Sequence, residues 1–250
     1  MVADLLATLR DLDVKVWAEG EQIRVSTPKG TLQPELRQKI KDHKSELLAL
    51  LRAVQPASNG AKAPIPPLAR TAPLLLSSAQ QRMWFLDQLD PGGSAYNLFY
   101  SHHILGPLDP ELLERCFTEL VRRHEILRTN FVVEDGQPQQ VVNPPAPWCL
   151  PVLDLQRLTP AEREQRIAQV VAEETSRSFD LASGPLVRTL LIQSASDDCL
   201  LIVVMHHIIG DATSLKILRR ELDTLYNGFL RGHSAPLPPL PIQYADFAAW

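Results

Sequence analysis

The spacing of apolar residues divides the first 52 residues into four short elements. Leu5, Leu6 and Leu9 fall on one face of a helix, and residues 14–28 alternate apolar and polar positions around a Glu-Gly-Glu turn. Residues 34–52 return to helical spacing. Because a period near 3.6 favours a helix and a period of two favours a strand, the pattern predicts a helix, a β-hairpin and two further helices.

A proline-rich segment follows. Residues 53–73 contain five prolines and have almost no apolar periodicity. Segments of this composition form semi-extended linkers. The sequence therefore predicts three parts, which are a small domain at 1–52, a linker at 53–73 and a larger domain at 74–250.

In the larger domain, helical and strand-like stretches alternate irregularly. Residues 108–124 carry an apolar stripe that begins beside Asp109, a capping residue, and Pro110, a favoured first helical residue. Residues 185–205 contain two apolar strands joined by a short polar turn, which predicts that they are antiparallel neighbours. We therefore expect an α+β fold in which helices pack against a buried sheet.

Composition limits the location and the partners of the protein. The net charge of −4 gives no general electrostatic basis for binding nucleic acid or an anionic membrane. The three cysteines, Cys116, Cys149 and Cys199, lack the spacing of a zinc site or of a disulfide framework. No segment has the pattern of a signal peptide or of a membrane span. These features favour a cytoplasmic protein.

One predicted helix of the first domain is strongly basic. Residues 35–44 contain four lysines or arginines but only two acidic residues, Glu35 and Asp42. A solvated helix face is the simpler interpretation of such a run. The alternative is a docking surface, because the free edge of the hairpin can accept an extended acidic peptide whose carboxylates meet the cations. The predicted docking residues are Arg24, Arg37, Lys39, Lys41 and Lys44.

The strongest chemical signal is the segment LLIVVMHHIIGDATSLKILRREL, residues 200–222. If its first part is a strand, His206 and His207 point to opposite faces of the sheet and do not readily bind one metal ion. A zinc site would also need ligands from distant parts of the chain. Two interpretations stay open. The histidines can have a structural role, with hydrogen-bonded rings at the end of a strand, or one imidazole can accept a proton near neutral pH.

Asp211 follows the two histidines at the predicted start of a helix. Its carboxylate can cap that helix, or it can pair with a buried arginine and brace the turn that carries the histidines. Ser214 fits a capping position better than a nucleophile, because the chain has no G-x-S-x-G motif. Both residues are therefore expected to support the structure rather than to react.

Five motifs resemble those of one enzyme family in both order and spacing. Over about residues 74–250, the chain resembles the condensation domains of nonribosomal peptide synthetases. The first 52 residues resemble the small N-terminal docking domains of such synthetase subunits, with a helix, a hairpin and two helices. The motifs are SSAQQRMWFLDQLDPGGSAYN (77–97), RHEILRTNF (123–131), SFDLASGPLVRTLLI (178–192), MHHIIGDATS (205–214) and YADFAAW (244–250).

The resemblance implies a chloramphenicol-acetyltransferase-like fold of two lobes, with a mixed sheet packed by helices and an active-site tunnel between the lobes. In the family, YADFAAW lies near the crossing into the second lobe. We therefore expect the chain to contain only a docking domain and the N-terminal lobe, and to be inactive alone. The family joins a donor acyl or peptidyl thioester to an acceptor aminoacyl amine. Both substrates travel on phosphopantetheine arms of carrier domains, and no cofactor is expected to bind the chain directly.

The resemblance also assigns roles to individual residues. His207 matches the tunnel-facing histidine of the HHxxxDG motif, which acts as a base or positions the attacking amine. His206 matches the structural histidine of that motif. Asp211 matches the motif aspartate, which pairs in the family with an arginine of the RHExLRTxF motif. Arg128 is the first choice for that arginine here, and Arg123 is the second.

Two positions depart from the family motif. Gly210 stands where the family often has serine, and Ala212 stands where it usually has glycine. Glycine allows backbone conformations and close substrate approach that a Cβ hinders. We therefore expect Ala212 to limit the rate of catalysis or the size of the substrate.

The resemblance implies three partners, which are the acidic C-terminal tail of an upstream synthetase subunit, a donor carrier domain and an acceptor carrier domain. An alternative is that the chain acts only as a docking module for an upstream synthetase or polyketide synthase subunit. A stand-alone acyltransferase that uses acyl-coenzyme A is disfavoured, because such an enzyme needs no docking segment or linker.

Overall fold

The computed structural model describes residues 15–19, 22–26, 34–48, 65–70, 73–233 and 237–250. It divides into two compact units, Met1–Pro64 and Ile65–Trp250. Each unit has buried apolar residues of its own.

The first unit contains a β-hairpin and helical turns. Strands β1 (Lys15–Glu19) and β2 (Gln22–Ser26) pair antiparallel. Helix α1 spans Pro34–Asp42, and residues 44–48 are also helical. The predicted hairpin and the helical character of residues 34–48 are confirmed, whereas the first predicted helix lies outside the described residues. The buried apolar residues here are Ile40, Leu47 and Leu48.

A mixed four-stranded sheet forms the centre of the second unit. Its spatial order is β4 (Asn97–Leu105), β9 (Asp198–His206), β8 (Val187–Ala195) and β7 (Val152–Asp154). The β4–β9 and β8–β9 pairs are antiparallel, and β7 is parallel to β8. Strand β9 is central and largely buried, as its continuous apolar run predicts. The predicted antiparallel pair within residues 185–205 is confirmed.

A second sheet has three strands. These are β3 (Leu74–Leu75), β6 (Gln137–Val142) and β5 (Thr129–Glu134), in that spatial order and with antiparallel pairing. The turn between β5 and β6 consists of Asp135 and Gly136, which have φ angles of 50° and 75°. Two consecutive positive φ angles suit a tight hairpin turn, and Asp-Gly is a favoured pair there.

Five α-helices and one 3₁₀ turn complete the described part of the second unit. Helix α3 begins after Asp109, whose carboxylate accepts hydrogen bonds from the N–H groups of Glu111 and Leu112. The predicted cap and helix are therefore confirmed. The helices are α2 (Ser78–Leu89), α3 (Pro110–Arg123), α4 (Pro160–Ser176), α5 (Ala212–Leu230) and α6 (Tyr244–Ala249), and the 3₁₀ turn is Glu125–Arg128.

The hydrophobic core lies where α3 and α5 pack together over the central sheet. Leu120 of α3, Leu225 of α5 and Leu191 of β8 are fully buried in one apolar cluster. Residues 207–211 alone join β9 to α5, so the start of α5 lies close to the end of β9. Among the described residues, no helix combines the length and the apolar character needed to cross a membrane.

Candidate functional site

A cavity of about 730 Å³ opens beside the C-terminal end of β9. Its walls come from α2, the 3₁₀ turn, the turn after β9, α5, and the segment that leads into α6. Most of the lining surface is apolar, and the polar side chains in it include His207, Asp211 and Glu221 together with Arg82 and Arg220. An apolar cleft with a few convergent polar side chains is the usual form of a small-molecule site. The apolar lining includes Met83, Ile126, Ile209, Ile217, Leu240 and Phe247.

His206 is the buried member of the histidine pair. It is the last residue of β9 and is 3% exposed. Burial, together with the charge of His207, lowers the pKa of His206 to about 4, so the ring is neutral at pH 7. Its Nδ1 accepts a hydrogen bond from the N–H of Ile208 at 3.2 Å. A neutral ring that accepts at Nδ1 carries its proton on Nε2.

His207 lies one residue beyond the strand, in the turn that leads to α5. Its side chain is exposed and lines the cavity, and its backbone N–H donates to the carbonyl of Tyr96 at 2.8 Å. The two neighbouring rings therefore differ in their surroundings, since one is enclosed in the core and the other reaches the cavity. No metal is needed to explain them, and among the described residues no group of three or more His, Cys, Asp or Glu side chains is arranged to hold one.

Asp211 is the N-cap of α5. Its Oδ1 accepts from the N–H and from the hydroxyl of Ser214, both at 2.8 Å, and Ser214 Oγ accepts from the N–H of Asp211 at 3.1 Å. The hydrogen bonds from Ser214 lower the pKa of Asp211, against a smaller opposing effect of burial. Of the two roles considered for Asp211, this structure shows the cap, and Ser214 takes part in it.

The structure does not bring Asp211 to either arginine predicted as its partner. Arg128 Nε donates to the carbonyl of Val121 at 3.2 Å, and its other nitrogens lie beside the Asn143 carbonyl and the Glu125 carboxylate. Arg123 Nε binds Glu221 at 3.2 Å. Among the described residues, no arginine nitrogen lies within 4.0 Å of the Asp211 carboxylate. Both guanidinium groups have other acceptors, and Asp211 Oδ1 is bound by Ser214 at the start of α5.

Sequence reasoning missed a buried charged cluster on the cavity wall. The Glu221 side chain is 7% exposed, and its Oε2 lies 2.6 Å from His124 Nε2 and 3.2 Å from Arg123 Nε. The available signal was a glutamate on the same helical face as Leu218, Leu222 and Leu225. Because buried carboxylates need charged or hydrogen-bonding partners, a glutamate at that position indicates cationic partners elsewhere in the chain.

A second missed network joins both ends of the second unit. Asp246 Oδ1 accepts from Arg70 Nη1 at 2.7 Å and from the N–H of Leu68 at 2.9 Å, and Oδ2 accepts from the N–H of Gln243 at 2.7 Å. Burial alone would raise the pKa of Asp246, but these hydrogen bonds outweigh it and lower the pKa to about 2. Arg70 also binds Glu125 at 2.6 Å. The predicted linker of 53–73 therefore includes residues that belong to the second unit, which begins at Ile65.

The two departures from the family motif have different surroundings. A Cβ on Gly210 would meet Met205 Sδ at 3.0 Å and Ser214 Cβ at 3.2 Å, so a larger residue needs these neighbours to shift. Ala212 is the first residue of α5 and is exposed. A helical residue has a backbone that any L-amino acid adopts, so Ala212 brings no backbone strain. Its expected effect on catalysis stays a prediction.

The predicted docking residues are described in part. Arg37 and Lys39 of α1, and Lys44 after it, are exposed. Arg24 lies on β2 opposite Trp17, but its side chain and that of Lys41 lie outside the described residues. In the described part of the first unit, the sheet has two strands, so each has one edge without a sheet partner.

Comparisons with known families agree with the motifs. Residues 71–250 match the family described as Condensation domain, and residues 2–53 match the family described as TubC N-terminal docking domain. These matches confirm the resemblance predicted from the sequence and the expected fold class.

Individual relatives give the same result. Phosphinothricin tripeptide synthetase PhsC of Streptomyces viridochromogenes is 44% identical over 178 residues, which is 71% of this chain and 16% of that protein. Malpinin synthetase of Mortierella alpina is 42% identical over 186 residues, which is 74% of this chain and 2% of that protein. The chain thus spans a small share of these curated relatives.

A solved structure is similar to nearly the whole chain. The EpoB cyclization-docking bidomain of a nonribosomal peptide synthetase from Sorangium cellulosum is 26% identical, with a TM-score of 0.66. The match covers 99% of this chain and 48% of the solved chain.

Proposed function

Since this chain belongs to the condensation domain family of nonribosomal peptide synthetases and carries a docking domain, we propose that His207 serves the amide-bond-forming reaction. In that reaction, an acceptor aminoacyl amine attacks a donor acyl or peptidyl thioester. Phosphopantetheine arms of carrier domains deliver both substrates. The domain boundaries that we propose are 1–52, 53–73 and 74–250.

The observation that carries the proposal is the contrast between the two histidines. His207 reaches the cavity from a turn that follows a buried central strand, whereas His206 is buried and neutral. An imidazole at the edge of a cavity suits proton transfer, because histidine is the most frequent general acid and base in enzymes. His206 then supports the turn and Asp211 caps the helix that follows it.

Two protons leave the acceptor nitrogen during the reaction. The α-ammonium group of the acceptor, with a pKa of about 7.7–8.0, loses one proton. The amine then attacks the thioester carbonyl and forms the C–N bond, and the nitrogen of the tetrahedral intermediate loses a second proton. Collapse breaks the C–S bond, and the leaving thiolate takes up that second proton to become the phosphopantetheine thiol of the donor carrier. His207 either accepts a proton or aligns the amine through a hydrogen bond.

The assay of His207 uses a longer protein than residues 1–250. The chain covers 48% of the solved bidomain, and we propose that it is inactive alone. We would join residues 1–250 to the second lobe of a related condensation domain and supply loaded donor and acceptor carrier domains. Amide formation is followed by mass spectrometry.

We expect His207→Ala to lower the rate by about 10² to 10⁴, the usual contribution of a general base. His103→Ala is the matched control, because His103 is exposed on β4 beside Asp198. His207→Asn distinguishes the two roles, since it keeps a hydrogen-bonding group but does not accept the proton. A His207→Ala enzyme as fast as the parent would exclude both roles.

For the first unit, we propose docking of the acidic C-terminal tail of an upstream synthetase subunit. The exposed cations Arg37, Lys39 and Lys44 support this. So do the strand edges that have no sheet partner among the described residues, because an extended peptide can add to such an edge. A chain that only docks is the alternative. An active joined enzyme would argue against that alternative.

The docking test uses a fluorescent acidic peptide and the same peptide with its carboxylates replaced by amides. Fluorescence anisotropy should show saturable binding of the acidic form alone, weaker at higher salt. Exposed ion pairs contribute about 0.2–1 kcal/mol each, so Lys39→Gln with Lys44→Gln should weaken binding about twofold to thirtyfold. Lys216→Gln, exposed on α5 in the other unit, is the control. Titrations that show no change in anisotropy would contradict the proposal.

The cytoplasmic location of the protein stays a prediction.

A further inference from the structure

The ring of His206 is held by two aromatic neighbours. Tyr96 lies 6.4 Å away between ring centroids and Phe179 lies 6.3 Å away, both close to edge-on. Such edge-to-face pairs favour one relative orientation of the rings. The orientation matters, because Nδ1 of this ring accepts the N–H of Ile208, the residue directly after His207.

Phe179 is in turn held by Arg188 on β8. The guanidinium carbon of Arg188 lies 3.8 Å from the centre of the Phe179 ring, which is within the range of a cation–π contact. The same guanidinium donates to the carbonyls of Glu174, Arg177 and Ser178, and to the Glu174 carboxylate. Because the Arg188 side chain is 13% exposed and bound to several acceptors, it has little freedom to leave the ring.

We propose that Arg188 and Phe179 are positioning residues for His207, because they fix the ring of His206 that anchors the turn between β9 and α5. The contacts form a continuous chain, from the guanidinium to the Phe179 ring, to the His206 ring, and to the backbone N–H of Ile208. This proposal rests on the proposed role of His207. Neither Arg188 nor Phe179 lines the cavity, so both act through His206.

The first test does not depend on activity. Hydrogen exchange of the Ile208 amide, measured by NMR on the full chain, reports whether the Nδ1 acceptor stays in place. In Phe179→Leu we expect this amide to exchange about threefold to tenfold faster than in the parent, as expected for loss of an aromatic pair. Arg188→Gln should raise the rate about twofold to fivefold, since the ring stays but its cation is gone.

The chain offers a matched control. Arg115 lies 4.9 Å above the ring of Phe229, another cation–π pair, which involves neither histidine. Phe229→Leu should leave Ile208 exchange within about twofold of the parent. If Phe179→Leu does not fold, Arg188→Gln decides the question, because it removes no ring from the core. Unchanged Ile208 exchange in the folded variants would overturn the proposal.

The second test uses the joined enzyme with its second lobe. Phe179→Leu should lower kcat by at least the factor by which it speeds Ile208 amide exchange. It should leave the KM of the acceptor unchanged. Phe229→Leu should change neither kcat nor KM. Faster Ile208 exchange with an unchanged kcat would overturn the link to His207. If His207→Ala itself has no effect, the proposed function fails, and the exchange measurement still decides whether Phe179 and Arg188 hold the turn.

Discussion

Asp246→Asn tests how strongly the network around Arg70 stabilises the second unit. The Asp246 side chain is 2% exposed and receives hydrogen bonds from Arg70 and from the N–H groups of Leu68 and Gln243. These interactions lower its pKa from the ordinary value of 3.8 to about 2. At about 1.4 kcal/mol per pH unit, the ionised form contributes about 2.5 kcal/mol. Because asparagine resembles the protonated acid, the variant should lose about that free energy of unfolding at pH 6.

The pH dependence gives a second check on the same carboxylate. A lowered pKa in the folded state gives stability that is complete above the unfolded value of 3.8 and is lost as the pH falls through about 2. The difference in free energy of unfolding between the parent and Asp246→Asn should therefore be constant above about pH 5. At pH 3 it should fall to about half.

The assay is urea unfolding followed by tryptophan fluorescence. Trp17 lies in the first unit, so a Trp17→Phe background leaves Trp84, Trp148 and Trp250, all in the second unit, as reporters. Glu119→Gln is the control, since Glu119 pairs with Arg122, whose side chain is 62% exposed. Surface pairs of this kind contribute about 0.5 kcal/mol. If Asp246→Asn loses no more free energy of unfolding than Glu119→Gln does, the Asp246 network does not stabilise the second unit as proposed. If the loss is the same at pH 6 and pH 3, it does not depend on the ionised carboxylate.

Three further predictions concern the core, the cysteines and the start of α5. Leu120→Ala should cost about 2–5 kcal/mol in urea unfolding, because Leu120 is fully buried; a loss below about 1 kcal/mol would be inconsistent with that burial. In the native chain at pH 8, an alkylating reagent should modify Cys149, which is exposed, but not Cys116 or Cys199, as mass spectrometry will show. Burial raises the pKa of Cys116 to about 12, and denaturant should expose all three thiols. Ala212→Gly should lower stability by less than about 1 kcal/mol; a faster joined enzyme would show that the Cβ does hinder catalysis.

Features that depend on neighbouring residues could be predicted from the sequence. Helix α3 was predictable because its cap at Asp109 and its apolar stripe are local. The β8–β9 pair was predictable because a short polar turn joins two apolar runs. The pairing of β4 with β9 was not, because Asn97 and His206 are far apart in sequence and pair only through the tertiary fold.

The same distinction applies to the site. The burial of one histidine and the exposure of the other follow from their place at a strand end. The partners of the charged residues do not, since Glu221 meets Arg123 and His124 only because α3 and α5 pack together. Asp246 and Arg70 are separated by 176 positions. No periodicity within one element indicates which of several distant carboxylates an arginine binds.

The hydrogen bonds between Asp211 and Ser214 hold one end of the turn that carries His207. The N-terminal N–H groups of α5 need acceptors, and the Asp211 carboxylate supplies one to Ser214. Both hydrogen bonds from Ser214 use Oδ1 of that carboxylate, which lies at the positive end of the helix dipole. At the other end of the turn, His206 Nδ1 holds the N–H of Ile208. His207 therefore lies between two short-range anchors, and both belong to the segment that carries it.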